Sequence, residues 1–473
     1  MEHRILSALV VRVLAITLVE PAARAAVETL DIAPVWSGHP VGFSLLTHED
    51  HQFVAFYDDQ RRMTVASRRI SAPVTPGQSP WHFVRLPQQL GWDSHNYVTM
   101  AIDRDGYIHL SGNMHGHPLV YFRTREPLDI DTFESIGRMV GEREKRCTYP
   151  QFFRGPAGEL IFSYRDGGSG NGDQLYNVYD PDTRTWRRLI DGPLVSGEGE
   201  MNAYIQGPTR GPDGRFHMAW VWRDTPDCAT NHDVSYARSR DLVHWENSRG
   251  EAIPLPITIR TGEIVDAVPA GGGLLNSNVR LAFDAQGRPV ISYTKYDGPD
   301  GPLQVYNARL EKDGWNIQQA SNWTWRWEFR GGGSIGARVR VYPVEVTGSG
   351  LRQRYENERH GSGFWVLDPE TLQPIPPDVH STPAAELSNE NASIPPAVMT
   401  RPAKKAKAAG EGNDETLEPP ALMKRTAGDS GRSAMPGVSY RLEWETLPPN
   451  RDRPRTGPHP PPSMLRLVIV RSK

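Results

Sequence analysis

Short apolar runs of four to eight residues, separated by clusters of glycine, proline and aspartate, make up most of the chain from about Val35 onward. The first of them are VGFSLLTH, HQFVAFYD, MTVASRRI and WHFVRL. Runs that alternate apolar and polar positions and stop at turn-forming residues are typical of β-hairpins. No regular alternation of strands with helices follows, which disfavours an α/β barrel. The pattern therefore predicts an all-β chain.

A polar turn that ends in glycine and leads into a strand recurs along the chain. The copies are DRDGYIHLSG, RGPAGELIFSY, RGPDGRFHMAW and FDAQGRPVISY, with turn glycines Gly106, Gly158, Gly214 and Gly287, spaced 52, 56 and 73 residues apart. A strand repeat near 50 residues indicates the blades of a β-propeller. Roughly 350 to 400 residues at about 50 per blade predict seven blades.

Further pieces fit the same architecture. YNVYDPDTRTWRRL and FWVLDPETLQPI each read as strand, Asp-Pro turn, strand. The segment YARSRDLVHWEN holds Ser239, Asp241 and Trp245 in a shortened form of the S-x-D-x-G-x-x-W box that marks the turn between outer strands in sialidase-type propellers. We expect that turn here.

The ends of the chain and one internal segment differ from the strand pattern. Residues 1–25 have a basic start, an apolar stretch and small residues near Ala25, as in a secretory signal; a helical N-terminal extension is the alternative. Residues 30–473 are predicted to form one propeller domain, interrupted at 377–437 by a low-complexity insertion too poor in apolar residues to order. SMLRLVIVR near the C-terminus is the candidate strand that closes the ring.

Composition and charge narrow the functional classes. The net charge of −3 shows no excess of the basic residues that bind nucleic acid, so we expect no nucleic-acid partner. No later segment approaches the ~18 apolar residues of a membrane span, so we expect no membrane partner. With the signal-like N-terminus, we expect a secreted or periplasmic protein, and we expect it to be a monomer. Two cysteines, Cys147 and Cys228, leave open one disulfide, two free thiols or a metal ligand.

Polar residues at strand ends are the candidates for chemistry, because propellers bind ligands at the axis on one face. They are His95, Asn96, Asn113 and His115 around the first repeated hairpin, Tyr149 and Arg165 around the next, and Asn202 and Tyr204 at the start of a third. His109 lies in mid-strand and is expected to be structural. A histidine taken alone can be structural as well, and Arg165 could either face a ligand carboxylate or pair with a neighbouring acidic loop.

Several of these segments together resemble a known family. His95-Asn96, DRDGYIHLSGNMHGHPLVYFR, TYPQFF, YRDGGSGNGDQ, MNAYIQGP, NHDVSYARSRD and WETLPPNRDRPR are similar to the BNR-repeat-type propeller family, which includes the ulvan lyases, a group of polysaccharide lyases. The resemblance covers most of Trp92–Asp241 and the Tyr440–Arg453 tail. It implies a seven-bladed propeller. The insertion at 377–437 has no counterpart in it.

The resemblance also implies a catalytic group of two histidines, a tyrosine and an arginine, which match His95, His115, Tyr149 and Arg165. A lyase acting on a uronate must remove the C5 proton, alpha to a carboxylate, so a cation such as Arg165 is needed to stabilise the developing charge. We assign His95 and Tyr149 to the base and acid pair without deciding between them, and place His115 beside the carboxylate. Asn96, Asn113, Asn202 and Tyr204 are predicted to contact substrate.

A zinc site is a further possibility. His217, Cys228 and His232 lie close in sequence and offer ligands that suit zinc, although their spacing fits no finger pattern. Some of the resembling lyases carry a structural zinc, which makes a structural zinc one interpretation of these residues. The alternative is a core histidine and a buried free thiol. We expect no organic cofactor.

The residues leave three functional classes. The first is a lyase that cleaves an anionic, uronate-containing polysaccharide by β-elimination, with sulfated, ulvan-like polymers as one candidate substrate. The second is a sialidase-like glycoside hydrolase, which needs an arginine triad and a tyrosine nucleophile with acidic partners that the sequence does not supply in a clear pattern. The third is a carbohydrate-binding propeller without catalysis.

Overall fold

The computed structural model of the protein describes residues 26–376 except 74, 76 and 349, residues 398–400, and residues 421–471 except 434. The predicted signal segment 1–25 lies outside the described residues. In chain order the first strands are β1 (Ala26–Val35), β2 (Ser44–Glu49), β3 (His51–Tyr57), β4 (Arg62–Arg69), β5 (His82–Gln89), β6 (Val98–Ile102), β7 (Ile108–Gly112), β8 (His115–His117), β9 (Tyr121–Thr124), β10 (Phe133–Ser135), β11 (Cys147–Arg154), β12 (Leu160–Gly168), β13 (Asn171–Asp180), β14 (Thr185–Arg188), β15 (Val195–Ser196) and β16 (Asn202–Arg210).

The chain continues in the same way to its C-terminus. The later strands are β17 (Phe216–Arg223), β18 (Asn231–Ser239), β19 (Trp245–Glu246), β20 (Glu263–Asp266), β21 (Arg280–Phe283), β22 (Pro289–Tyr296), β23 (Leu303–Glu311), β24 (Gly314–Gln319), β25 (Val339–Thr347), β26 (Gly350–Asn357), β27 (Gly361–Leu367), β28 (Val398–Thr400), β29 (Met423–Gly428), β30 (Arg432–Ser433), β31 (Val438–Thr446) and β32 (Ser463–Arg471). Three short 3-10 turns occur at Ile130–Thr132, Cys228–Thr230 and Asn276–Asn278. The all-β prediction is confirmed.

Within the described residues these strands form seven sheets, numbered here in chain order. Sheet 1 has the order β30-β2-β3-β4-β5, sheet 2 β10-β9-β7-β6, sheet 3 β14-β13-β12-β11-β8 with β15 beside β13, sheet 4 β16-β17-β18-β19 with β20 beside β18, sheet 5 β21-β22-β23-β24, sheet 6 β25-β26-β27 and sheet 7 β1-β32-β31-β29-β28. Sheets 1 to 6 contact one another in succession, largely through their first strands, and β2 of sheet 1 also contacts β29 of sheet 7. The C-terminal sheet therefore lies beside the first.

The repeated glycine turns occupy equivalent places. The turns join β6 to β7 in sheet 2, β11 to β12 in sheet 3, β16 to β17 in sheet 4 and β21 to β22 in sheet 5, which we call the first and second strands of these sheets. The glycines have φ values of 88°, 87°, 78° and 76° in chain order. Glycine adopts this left-handed conformation without the steric penalty that a side chain brings. The repeat read from the sequence is thus the hairpin turn of successive sheets.

The shortened box in sheet 4 also folds as expected. Asp241 Oδ1 accepts hydrogen bonds from the backbone N–H groups of Val243 and His244, at 2.9 and 2.7 Å. The Trp245 indole is buried and donates to the Leu242 carbonyl. This turn joins β18 to β19, the outer strands of the sheet.

The two ends of the described chain meet in sheet 7. The predicted closing strand SMLRLVIVR is β32, which pairs antiparallel with β1 on one side and β31 on the other. Arg466 of β32 donates to Asp31 of β1 at 3.0 Å. Through this pairing the N-terminal strand β1 forms the edge of sheet 7, beside the C-terminal strand β32.

The predicted insertion at 377–437 needs a correction at its C-terminal end. Residues 377–397 and 401–420 lie outside the described residues. Met423–Gly428, however, forms β29 in sheet 7, where Met423 and Arg425 are buried and pair opposite Thr446 and Trp444 of β31. The polar residues of this segment hid its strand character from the sequence analysis. Only alternate side chains of a strand face a neighbouring sheet, so a strand needs few apolar residues.

Apolar side chains from adjacent sheets fill the space between them. Trp220 and Trp222 of β17 are fully buried and belong to a cluster that includes Tyr176 of sheet 3. Between sheets 7 and 1, Trp444 stacks on Phe43 with ring centroids 4.5 Å apart. His109 is fully buried beside Tyr121 and Asp103, as expected for a structural histidine. In the described part of the chain, no helix is both long and apolar enough to cross a bilayer.

The buried histidine His39 predicts how the stability of the fold depends on pH. His39 is 1% exposed and accepts a hydrogen bond from the Trp36 indole at 2.9 Å. Burial, with help from the nearby Arg61 charge, lowers the pKa of His39 from 6.5 to about 4. Because the folded state binds this proton less readily than the unfolded state, stability falls as pH drops from 6.5 towards 4, by about 3 kcal/mol from this group.

Thermal unfolding between pH 7 and pH 4 checks this prediction. The His39→Gln variant keeps an acceptor for the indole but cannot titrate, so its melting temperature should fall less on acidification than that of the wild type. An equal fall in both proteins would show that His39 does not contribute.

Candidate active site

The predicted catalytic residues come together where the first strands of sheets 2, 3 and 4 begin. His95 lies in the loop before β6, Tyr149 is in β11 and Arg165 is in β12. His115 lies in sequence between β7 and β9 of sheet 2 but starts β8, which pairs with β11 of sheet 3 so that His115 lies opposite Thr148. This pairing places His115 next to Tyr149, and the four side chains share one face of the molecule.

One carboxylate holds both histidines. Asp93 accepts a hydrogen bond from His95 Nδ1 at 2.6 Å through one oxygen and from His115 Nδ1 at 2.5 Å through the other. The His95 backbone N–H also donates to Asp93, at 2.9 Å. The two imidazole rings stack with centroids 4.2 Å apart. Since each Nδ1 carries a proton towards Asp93, each Nε2 of a neutral ring is left as a proton acceptor.

The charge state of this group follows from its surroundings. Burial alone would raise the pKa of Asp93, but the hydrogen bonds from His115 and His95 outweigh burial and hold the pKa well below its usual range. Burial lowers the pKa of His115, and the hydrogen bond to Asp93 opposes that shift only in part. Asp93 is therefore an anion and His115 a neutral base at neutral pH.

Tyr149 reaches this pair from a strained backbone. Its φ of 57° lies in the left-handed region, and the β11–β12 register shifts between Thr148 and Gln151. A bulge of this kind re-aims a side chain, and a non-glycine residue in this conformation is held there by its surroundings. The ring centroid of Tyr149 lies 5.7 Å from that of His95 and 6.3 Å from that of His115.

The Tyr149 phenol is a proton donor rather than a base in the free protein. Burial and the neighbouring Tyr204 raise the pKa of Tyr149 far above its ordinary value, and the positive charges of Arg165 and Arg223 only reduce that shift. The phenol therefore keeps its proton at neutral pH.

Arg165 is a buried cation without a counter-charge. The residue is 2% exposed, and its Nε and Nη1 atoms have no hydrogen-bond partner. None of the acidic side chains that the structure describes forms an ion pair with it. Its guanidinium lies over the Tyr149 ring at 4.9 Å and over the Tyr204 ring at 5.9 Å. Gly172 leaves room for it, since a Cβ there would lie 2.8 Å from Arg165 Cδ.

Tyr204 extends the group towards sheet 4. Its hydroxyl hydrogen-bonds to Ser169 Oγ at 2.6 Å and accepts from Arg223 Nη1 at 3.2 Å. The Tyr149 and Tyr204 rings have centroids 6.2 Å apart. The other donors of Arg223 go to backbone carbonyls of the 225–227 loop. Arg223 therefore holds Tyr204 in place, whereas Nε and Nη1 of Arg165 have no hydrogen-bond partner.

The three predicted asparagines have different surroundings. Asn202 is buried opposite Arg223, and its Nδ2 has no partner. Asn96 is also buried, with Oδ1 unpartnered. The Asn113 amide donates to Gln88 Oε1 at 2.9 Å and to the Gln89 carbonyl at 3.2 Å. Substrate contact stays a prediction for Asn96 and Asn202, and the Asn113 amide is already engaged within the protein.

The predicted zinc set does not assemble, so that prediction is wrong. His217 lies opposite Arg238 at one end of the β17–β18 hairpin, whereas His232 lies opposite Trp222 at the other. Five residues of strand, roughly 16 Å, separate these positions. His217 is held by Tyr236 and Asp213, and His232 lies between Asp224 and Asp233. Cys228 and Cys147 are buried free thiols.

Across the described residues, one group brings three potential metal ligands together, namely Asp93, His95 and His115. Zinc with bonds of about 2.0 Å keeps tetrahedral ligand atoms about 3.3 Å apart. The carboxylate oxygens of Asp93 lie 2.6 and 2.5 Å from the two Nδ1 atoms, which is hydrogen-bonding distance. As placed, the Nδ1 and carboxylate atoms are hydrogen-bonded, and Asp93, His95 and His115 remain the one described group that could hold a metal ion.

Four residues of this site escaped the sequence reasoning: Asp93, Ser169, Arg223 and Asp452. Asp93 is two residues before His95, so the pair could have been read from WDSH. Arg223 ends the second strand of sheet 4, near the place that Arg165 takes in sheet 3, and an alignment of the repeats could have found it. Ser169 and Asp452 carry no local signal. Asp452 lies 3.6 Å from His95 Nδ1 but far away in sequence.

Comparisons with known proteins agree with this picture. A family model described as "BNR repeat-containing family member" matches residues 51–323. "Ulvan Lyase-PL25" of Pseudoalteromonas sp. (strain PLSV) is 23% identical over 257 residues, which make up 47% of this chain and 52% of that protein. The chain thus matches about half the length of this relative.

Two solved structures share the fold over most of their length. A polysaccharide lyase called Uly1 superposes with a TM-score of 0.56 at 13% identity, over 94% of this chain and 99% of that one. A PL25 ulvan lyase bound to -[GlcA(1-4)Rha3S]- superposes with a TM-score of 0.54 at 16% identity, over 88% of this chain and 93% of that one. At such identities the similarity speaks for the fold, and it confirms the propeller-type architecture.

Proposed function

From the premise that this chain belongs to the BNR repeat-containing family, whose model matches more than half of it, we propose that the protein is a polysaccharide lyase. It cleaves a uronate-containing anionic polysaccharide, of the sulfated ulvan type, by β-elimination. Relatives called ulvan lyases support the substrate class. The observation that carries the proposal is the unpaired, buried Arg165 beside two histidines and a tyrosine.

Arg165 supplies the charge that the reaction needs. A buried cation without a partner costs several kcal/mol of solvation, and a bound carboxylate would offset that cost. The C5 proton of a uronate is acidic only when its carboxylate is neutralised, because removal of the proton pushes a second negative charge onto that group. A guanidinium can bind both carboxylate oxygens at once and stabilise this dianionic intermediate.

His95 is assigned as the base that removes the C5 proton. Its Nδ1 and backbone N–H both bind Asp93, so the ring is fixed with Nε2 directed away from that carboxylate as the free acceptor. An imidazole is a suitable base near neutral pH. His115 shares the same carboxylate and stacks on His95, and we place its Nε2 beside the substrate carboxylate.

Tyr149 is assigned as the acid that protonates the leaving O4. Its raised pKa keeps the phenol protonated, which suits a donor. During the reaction the proton on C5 passes to His95, the C4–O4 bond breaks, and the departing oxygen takes the proton of Tyr149. The electron pair of the C–H bond becomes the C4–C5 double bond of the product. No water is consumed.

The surrounding carboxylates favour elimination over hydrolysis. Most glycoside hydrolases need two carboxyl groups free to act on the glycosidic bond, and a sialidase-like enzyme needs acidic partners for its tyrosine nucleophile. Here Asp93 is occupied by two histidines, and Asp452 accepts from Ser94 and Ser334. Among the described residues these are the acidic side chains that pair with His95, and neither is free for a hydrolase role.

The setting of the enzyme is part of the proposal. The signal-like residues 1–25 support export from the cytoplasm, where a large anionic polymer would be met. We propose that the protein acts as a monomer and without an organic cofactor. N-terminal sequencing of the exported protein would place the cleavage site near Ala25, and an intact N-terminus would contradict export by this route.

Replacing one hydroxyl tests the assignment of the acid. Tyr149→Phe removes the proton donor but keeps the ring against His95 and Arg165, so we expect kcat to fall by about 10²–10⁴-fold with little change in melting temperature. The rate is followed as the ultraviolet absorbance of the unsaturated uronate on a panel of uronate polysaccharides. Tyr204→Phe, which loses a hydroxyl bound within the protein, should cost much less. A wild-type rate in Tyr149→Phe would remove this residue from the mechanism.

A further inference from the structure

The connection between β31 and β32, residues 447–462, passes over the face that carries the site; we name it the C-terminal strap. It is fastened at several points. The Leu447 N–H donates to the Ser37 carbonyl at 2.8 Å, and Ser37 Oγ donates to the Pro461 carbonyl at 2.8 Å. The His459 ring packs against Trp36 and Trp92, with centroids 5.2 Å away in both cases. The strap is therefore held against Trp36, Ser37 and Trp92, the last of which directly precedes Asp93–His95, here called the catalytic loop.

Asp452 is the strap residue that reaches the site. Its Oδ1 accepts from the Ser94 backbone N–H at 3.0 Å and from Ser94 Oγ at 2.6 Å. Its Oδ2 accepts from the Ser334 N–H at 2.6 Å and lies 3.6 Å from His95 Nδ1. The side chain is 10% exposed. One carboxylate thus joins the strap, the catalytic loop and the loop before β25.

The backbone at this point is strained. Arg451 and Asp452 are consecutive non-glycine residues with φ values of 62° and 58°. The surrounding contacts hold them there, since the Arg451 N–H donates to the Ser334 carbonyl at 3.1 Å and its Nη1 donates to the Arg330 carbonyl at 3.1 Å. Such conformations are unfavourable by 1–3 kcal/mol each in general and cluster at functional sites. The strained backbone thus lies where the Asp452 carboxylate accepts hydrogen bonds from Ser94.

We propose that Asp452 is a positioning residue for His95, an inference that rests on the lyase function proposed above. Ser94 stands between Asp93 and His95, so fixing its N–H and hydroxyl fixes the residues on both sides. With Ser94 held, the His95 N–H and Nδ1 both reach Asp93 and the imidazole keeps one orientation. A second negative charge near Nδ1 also favours a proton on that nitrogen, which leaves Nε2 as the base.

Asp452→Ala tests the proposal, because a positioning residue should affect kcat much more than KM. We expect kcat to fall about 10–100-fold, because a small misplacement of a catalytic group has effects of this size. KM should stay within about threefold, since Arg165 is untouched. Ser94→Ala, which loses one of the two bonds to Asp452, should lie between this variant and the wild type. In the double variant with His95→Ala the Asp452 substitution should cause no further loss.

Asp227→Asn is the matched control. Asp227 Oδ1 accepts from the Gly331 N–H at 2.6 Å and from the Ala229 N–H at 2.9 Å, so it holds the same 330–334 loop without touching Ser94 or His95. We expect its melting temperature to fall while kcat stays within about threefold. An equal loss of kcat in Asp227→Asn, or losses that multiply in the Asp452→Ala/His95→Ala double variant, would overturn the positioning role.

A spectroscopic readout separates this proposal from the lyase function itself. In protein labelled with ¹⁵N in its histidines, the ring signals of His95 are identified by their loss in His95→Ala. They should report a proton on Nδ1 in the wild type, and should shift or broaden in Asp452→Ala but not in Asp227→Asn. Unchanged His95 signals in Asp452→Ala would contradict the positioning role. Absence of lyase activity in the wild type would refute the proposed function and leave this result to stand alone.

Discussion

Arg165→Met should lose lyase activity by about a thousandfold or more while its melting temperature stays equal to that of the wild type or rises. The activity falls because nothing else in the described site neutralises a substrate carboxylate. The fold does not suffer because the guanidinium is 2% exposed and its Nε and Nη1 atoms have no partner. Exchanging a buried, uncompensated charge for an apolar chain of similar length removes a desolvation penalty. The loss of its contact with the Tyr149 ring offsets part of this gain.

Arg309 provides the matched control for this substitution. It is equally buried, at 1% exposure, but donates to Glu311 at 2.6 Å and to the Pro369 and Glu370 carbonyls at 2.5 and 2.6 Å. Arg309→Met should therefore destabilise the protein by about 3–5 kcal/mol and leave the rate per folded molecule unchanged. Calorimetry and the absorbance assay give both quantities. A drop in melting temperature for Arg165→Met as large as that for Arg309→Met would mean that Arg165 has an intramolecular partner after all.

Asp93→Asn should reduce kcat by about 10²–10⁴-fold with a smaller change in KM. The asparagine amide can donate to an imidazole Nδ1, which would move the ring proton to Nε2 and remove the base. The same substitution affects both histidines, because each donates to one oxygen of Asp93. Steady-state rates on the polymer, together with ring ¹⁵N shifts of the two histidines, measure the loss and the change of tautomer.

The buried pair of Asp103 and His109 serves as the comparison. Asp103 accepts from His109 at 3.3 Å and from the Tyr107 N–H at 2.9 Å, in the hairpin turn of sheet 2 away from the site. Asp103→Asn should lower the melting temperature but preserve the rate per folded molecule. If Asp93→Asn kept wild-type kcat, or if both variants lost activity equally, the role given to Asp93 would be untenable.

Much of the fold could be read from the sequence because its signals are local. The apolar runs became strands, and the four turn glycines took the left-handed conformation that their hairpins require. The closing strand was recognised by its mostly apolar sequence and does pair with β1. β29 was missed, since its buried side chains alternate with polar ones inside a segment rich in alanine, proline and polar residues.

The site could be predicted only where its residues stand at the ends of first and second strands. His95, Tyr149 and Arg165 share that position, so the repeat itself brings them together. Asp452 could not be found in this way, because it is 358 positions from Ser94 and meets it through the closure of the fold. The zinc prediction failed for the opposite reason. His217 and His232 are close in sequence, but an extended strand carries them to opposite ends of one hairpin.

The chemical nature of the cleaved end is the most direct test of the lyase function. Wild-type protein is incubated with a sulfated, glucuronate-containing polysaccharide, and the products are followed by ultraviolet absorbance and mass spectrometry. Elimination by the Arg165, His95 and Tyr149 group predicts oligosaccharides whose new non-reducing uronate absorbs and is lighter by one water than a hydrolysis product. Saturated products that have gained water would contradict the account, and so would binding of the polymer without any cleavage.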